Sequence, residues 1–149
     1  MTSNRLLPVF LLAACGSSSA SVPVKGKESD VVLLAGKWVG EYEGRESGRR
    51  GSIRFDLALG YHVAEGEVIM RPAGDAAAEV PLQIKFVNVG EHRVSGKIAP
   101  YTDPACKCAV ETEFSGRVEG GTMDGTFVTR GAGIAEQTGR WSAQRTADK

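Results

Sequence analysis

The sequence predicts an all-β fold, a small up-and-down antiparallel β-barrel of about eight strands, with a β-sandwich as the alternative that uses the same alternation. Three observations lead there. From Lys37 onward, apolar and polar residues alternate in short runs. The runs recur about every 12 residues, divided by Gly, Pro and Asp, with no helical period of any length. Glycines also stand inside the runs, at Gly40, Gly66, Gly96, Gly116 and Gly125. Glycine weakens a strand unless the sheet bends sharply or another backbone comes close, as in a narrow closed barrel. Closure also removes the exposed edges that invite aggregation. These two arguments favour the barrel over the sandwich.

At the N-terminus, Arg5 precedes a short apolar run from Leu6 to Ala14. The run is far below the roughly 20 residues of a membrane-crossing helix. Its charged, apolar, then small order is that of an export leader. It ends in Leu12-Ala13-Ala14-Cys15, which resembles the lipobox of bacterial lipoproteins. The resemblance implies cleavage before Cys15, lipidation of its thiol, and a protein anchored in the bacterial cell envelope. Gly16 stands where the enterobacterial sorting pattern places an Asp for inner-membrane retention, which favours the outer membrane. Residues 1–14 are therefore read as a signal peptide. Residues 15–30, small and polar without periodicity, are read as a lipid-anchored flexible tether. A barrel domain is expected over 31–146, with a tail at 147–149.

Each run presents one face to a core and one to water, because successive strand side chains point opposite ways. Trp38, Gly40 and Tyr42 share a face of the first. Ile53, Phe55, Leu57 and Leu59 share one in the second, with Arg54 and Asp56 opposite. Ala64, Gly66, Val68 and Met70 form the third, and Leu82, Ile84 and Phe86 the fourth. Val94, Gly96 and Ile98 form the fifth. Cys106, Cys108, Val110, Thr112 and Phe114 form the sixth. Met123, Gly125 and Phe127 form the seventh, and Gly139, Trp141, Ala143 and Arg145 the eighth. The longer links, Arg71 to Pro81 and Arg130 to Thr138, are expected at the rim.

Gly36-Lys37-Trp38 opens the first run after a short apolar segment, Val31 to Leu34. This G-x-W at a first strand resembles the calycin superfamily of lipocalins, avidins and their bacterial relatives. The resemblance implies a barrel closed at one end by the preceding turn. It also implies a basic residue from the last strand lying over the tryptophan, and Arg145 is the candidate. Thr122-Met123-Asp124-Gly125-Thr126-Phe127 is similar to the glycine-rich strands of avidin-like barrels. The lipocalin T-D-Y motif is absent, and Thr102-Asp103-Pro104 is only a partial echo of it.

The chain carries 18 Lys and Arg against 18 Asp and Glu. A balance this even gives no electrostatic footprint for nucleic acid, and no polybasic run suggests binding to lipid headgroups. Cys106 and Cys108 are the thiols left once Cys15 is lipidated. They admit three readings: a local disulfide, a soft-metal site joined by His62 or His92, or two small buried side chains. Alternate positions of a regular strand are too far apart for a disulfide, so that reading needs a distorted backbone. Asp103-Pro104 just upstream supplies a turn or bulge. His62 and His92 belong to no metal or catalytic spacing and read as loop residues. The pairs Glu65 with Glu67 and Glu111 with Glu113 read as a solvated face, and Arg45, Arg49 and Arg50 as a solvated hairpin tip. No metal site and no cofactor is assigned.

Trp38, Tyr42, Phe55, Phe86, Phe114, Phe127 and Trp141 are expected to converge on the barrel interior, with Arg145 beside Trp38. A barrel of this size is either filled by side chains or holds one small ligand. The expected function is non-enzymatic: an envelope lipoprotein binding a small apolar or amphipathic ligand inside the barrel. Two alternatives stand beside it. One is a protein-interaction or inhibitor module, and the other a metal-binding or thiol-redox protein using Cys106 and Cys108.

Overall fold

Alternation becomes ten strands in the computed structural model, which describes residues 19–74 and 78–147. They are β1 (Ala20–Lys25), β2 (Gly36–Gly44), β3 (Arg50–Leu57), β4 (Val63–Arg71), β5 (Val80–Leu82), β6 (Ile84–Gly90), β7 (Arg93–Thr102), β8 (Ala109–Glu119), β9 (Thr122–Gly131) and β10 (Gln137–Arg145). A short helix α1 (Glu28–Val31) and a 3-10 turn (Val32–Leu34) lie between β1 and β2. The segment Leu12-Ala13-Ala14-Cys15, expected to be a lipobox, lies outside the described residues.

The sheet closes on itself as a barrel of nine strands, with β5 as an additional strand. Neighbours from β6 through β10 and on through β2, β3 and β4 are antiparallel. β1 completes the ring. Its first half pairs antiparallel with Val63–Gly66 of β4, and its second half pairs parallel with Val87 and Asn88 of β6. β5 takes the remaining edge of β4, at Val68–Met70. The all-β barrel expectation therefore holds, with one strand more in the ring than the sequence suggested.

That strand corrects the tether. Residues 20–25 read as linker because Pro23 and the lysines mask a short alternation, yet Val22 and Val24 are fully buried in the core. Pro23 sits where β1 changes partner, at the last residue paired with β4, a place where a missing N–H costs little.

A second correction concerns the fourth run. Phe86 was expected inside with Leu82 and Ile84. The β6–β7 register shifts between Ile84 and Phe86, and this bulge reverses the facing of every later residue. Val87 and Val89 therefore enter the core, and Phe86 turns outward beneath the Lys25 ammonium, 5.4 Å from its ring centre.

One end of the barrel is plugged. α1 and the 3-10 turn lay Val31 and Leu34 across it, both buried. Trp38 sits beneath them, 1% exposed, and donates from Nε1 to the Leu34 carbonyl at 2.9 Å. The Arg145 guanidinium lies 4.6 Å over the Trp38 ring and donates to the Leu33 carbonyl at 2.7 Å. Gly36 makes this possible. Its φ of +113° suits glycine, and the Arg145 stem fills the space a Cβ would need, 3.2 Å away.

The intrastrand glycines have a shared cause. Each of five aromatic residues stands directly opposite a glycine on the next strand: Tyr42 and Gly51, Phe55 and Gly66, Phe114 and Gly96, Phe127 and Gly139, Trp141 and Gly125. At Gly51, Gly96 and Gly139 an added Cβ would run into the facing ring, and at Gly116 it would come within 2.6 Å of the Trp141 ring. The bare backbone lets large rings lie across neighbouring strands inside a narrow barrel.

Candidate functional site

The opposite end holds the cavity. It has a volume of about 120 Å³ and an almost wholly apolar wall. Ile53, Phe55, Val68, Met70, Leu82, Ile84, Val87, Ile98, Phe114, Phe127 and Trp141 line its body, and Leu34 of the plug contributes to its wall. Tyr42, Ser47, Arg49, Tyr101, Thr112, Thr129 and Gln137 also line it and carry its polar atoms. The aromatic rings lock one another edge to face. Tyr42 meets Phe127 at 5.6 Å and 90°, and Phe114 meets Trp141 at 6.0 Å and 83°. This arrangement suits the ring quadrupoles.

An ion pair spans the mouth. Arg49 lies in the β2–β3 hairpin and Asp103 in the β7–β8 loop. Two strands, β9 and β10, separate these hairpins on one side of the ring, and three, β4, β1 and β6, on the other. The pair therefore crosses the opening. Arg49 donates through Nη1 and Nη2 to the two carboxylate oxygens of Asp103, at 2.5 and 2.7 Å. Asp103 is 1% and Arg49 8% exposed. The hydrogen bonds from Arg49 hold the Asp103 carboxyl below its ordinary range despite burial, and the same bonds raise the Arg49 guanidinium further.

Asp103 also organises its own loop. Its Oδ1 accepts from the Ala105 N–H at 2.7 Å, and its backbone N–H donates to the Cys108 carbonyl at 2.9 Å. Lys107 takes a left-handed φ of +53°. This turn brings Cys106 and Cys108 together as a disulfide, with Cα atoms 5.2 Å apart. The distorted backbone that the disulfide reading required is thus the Asp103-Pro104 turn. β8 begins only at Ala109, so neither cysteine belongs to the strand the alternation assigned them.

The histidines do not join this site. His62 and His92 lie in the β3–β4 and β6–β7 connections, at the plugged end. His62 pairs with Glu28 at 2.9 Å, and His92 Nδ1 lies 3.4 Å from the Val118 carbonyl oxygen. A metal site built from either with the cysteines is excluded by their positions at opposite ends. Among the described residues no group of His, Cys, Asp and Glu is arranged to hold a metal ion. The outward carboxylates behave as a solvated face. Glu113 bridges Lys97 and Arg130.

Of the aromatic residues expected inside, Tyr42, Phe55, Phe114, Phe127 and Trp141 line the cavity. Trp38 and Arg145 belong to the plug, and Phe86 faces out. Sequence reasoning missed Arg49, Tyr101 and Asp103. The sequence groups Arg49 with Arg45 and Arg50 as a solvated tip, and the latter two are exposed. Its only sequence signal is that it precedes Gly51 by two positions, on the inward phase of β3.

Several polar groups of the cavity wall are paired within the protein. Thr112 and Thr129 bond each other across β8 and β9 at 2.7 Å. Trp141 Nε1 donates to the carbonyls of Thr126 and Ser115, at 3.2 and 3.3 Å. The Tyr42 hydroxyl stands alone, buried with no partner among the described residues. Burial and the nearby Tyr101 push its ionisation far above the ordinary tyrosine range, so it remains a protonated donor. Comparison of the chain with protein-family models, curated proteins and solved structures finds no match.

Proposed function

We propose that this chain is a lipid-anchored, non-enzymatic protein of the bacterial cell envelope that carries a small apolar or amphipathic molecule in a calycin-like barrel. The observation that carries the reading is the cavity: apolar walls, a plugged floor, and polar groups gathered at the mouth. Pockets of this make-up, with a few placed polar groups in an apolar wall, are the usual form of a small-molecule site. Its volume of about 120 Å³ sets the scale of the guest. Drug-sized ligands occupy roughly 300–1,000 Å³, whereas an apolar cavity of about 150 Å³ admits benzene. One ring or a short chain fits. The stacking of Arg145 over Trp38 supports the calycin likeness, and Leu12-Ala13-Ala14-Cys15 supports the anchor.

Native mass spectrometry of the exported protein, purified from the envelope, tests this. A bound small molecule at one per chain is the expected result. A bare chain that co-purifies with a stoichiometric protein partner would instead favour an interaction module.

A further inference from the structure

We infer that the cavity selects an uncharged guest bearing a hydrogen-bond acceptor, such as a small ketone, ester or ether, which receives a hydrogen bond from the Tyr42 hydroxyl. This rests on the proposed carrier function and narrows its ligand class.

Charge comes first. Arg49 is the one ionic side chain lining the cavity among the described residues. Both of its terminal nitrogens are already held by the Asp103 carboxylate. A carboxylate guest would have to displace Asp103 or add a second negative charge beside a guanidinium that Asp103 already neutralises, and an uncompensated buried charge is strongly disfavoured. A cationic guest meets the same difficulty, because Asp103 is engaged by the fork of Arg49. The satisfied pair makes the mouth polar without giving it a net charge.

Hydrogen-bonding capacity comes second. The threonine pair and the Trp141 N–H have partners within the protein. The Tyr42 hydroxyl is the buried side-chain polar atom with no partner among the described residues. A buried donor left unmade carries its full desolvation penalty, so a guest that accepts from it gains more than one that does not. The Tyr42 ring is held edge-on by Phe127, so the donor is oriented before any guest arrives.

Three compounds of similar size separate the possibilities: cyclohexanone, methylenecyclohexane and cyclopentanecarboxylate. Each is titrated into the full exported protein and followed by NMR at the Trp141 indole N–H. Cyclohexanone should bind about tenfold more tightly than methylenecyclohexane, the margin of one hydrogen bond to a buried donor, and the carboxylate should bind least. Tyr42→Phe should erase the ketone's advantage over the hydrocarbon. Because that hydroxyl has no partner among the described residues, the variant removes no hydrogen bond formed there and should fold as the parent does. Equal affinity for ketone and hydrocarbon, tightest binding by the carboxylate, or an unchanged preference in Tyr42→Phe overturns the inference while leaving the carrier function standing. Failure of all three compounds to bind overturns both.

Discussion

Replacing Asp103 by Ala should be among the most damaging single changes outside the apolar core. The substitution removes both acceptors from Arg49 and strands a guanidinium that is 8% exposed. Breaking a buried ion pair from one side costs about 3–5 kcal/mol. The pair sits at the rim rather than deep in the barrel, so the lower figure, about 3 kcal/mol, applies. With a urea m-value on the order of 1.5 kcal/mol/M, the unfolding midpoint falls by about 2 M. The double variant Arg49→Met with Asp103→Leu removes both charges and should recover most of the loss, because buried pairs and well-packed apolar replacements are often of similar stability. The effect also depends on pH. The native carboxyl of Asp103 titrates below its ordinary value of 3.8. Its contribution is therefore complete above about pH 4 and lost as the pH falls through the lower native value. The gap between parent and Asp103→Ala should narrow in that acidic window. Urea unfolding at pH 7 and pH 3, followed by tryptophan fluorescence, measures all of this. A loss below about 1 kcal/mol, or a double variant no more stable than the single, would refute the reasoning.

Other outcomes follow from the same geometry. Gly125→Ala places a Cβ against the Ser115 carbonyl and the Gly116 backbone, neither of which can yield. A thermal-unfolding loss of about 2–3 kcal/mol is expected, in line with overpacking of a closed core. Arg145→Ala removes the cation over Trp38 and the bond to the Leu33 carbonyl. It should cost about 1–2 kcal/mol and speed hydrogen exchange in the plug. Cys106→Ser with Cys108→Ser opens a very small loop, for which chain entropy gives only roughly 1.5 kcal/mol. Chemical denaturation should show a modest loss, with the Arg49–Asp103 pair retained. Deleting residues 19–25 should abolish folding rather than shorten a linker, because Val22 and Val24 are core; circular dichroism of the truncated chain reports it.

Alternation alone made most of the barrel legible. It placed Phe55, Phe114, Phe127 and Trp141 on inward faces, and each of them lines the cavity. It failed where a strand is irregular. The bulge after Ile84 reverses phase and carries Phe86 outward, and nothing in Leu82-Gln83-Ile84-Lys85-Phe86 marks an extra residue. β1 is short and depends on two different partners, so its six residues carry little period of their own. The intrastrand glycines were visible, but their pairing with aromatic rings depends on cross-strand register, which one chain's pattern does not specify. The mouth was the least legible part. Arg49 and Asp103 are 54 positions apart, and only closure of the ring brings their hairpins face to face. A basic hairpin tip and an Asp-Pro turn look like ordinary solvated loops until then.

The central claim is that the barrel is hollow beneath the Arg49–Asp103 strap and accepts a small apolar guest. A crystal structure of the protein under xenon pressure tests it most directly, since dry apolar cavities of this size take up xenon. The expected result is a single xenon site enclosed by Met70, Phe114, Phe127 and Trp141. A barrel whose side chains fill that space, with no xenon bound, would contradict it.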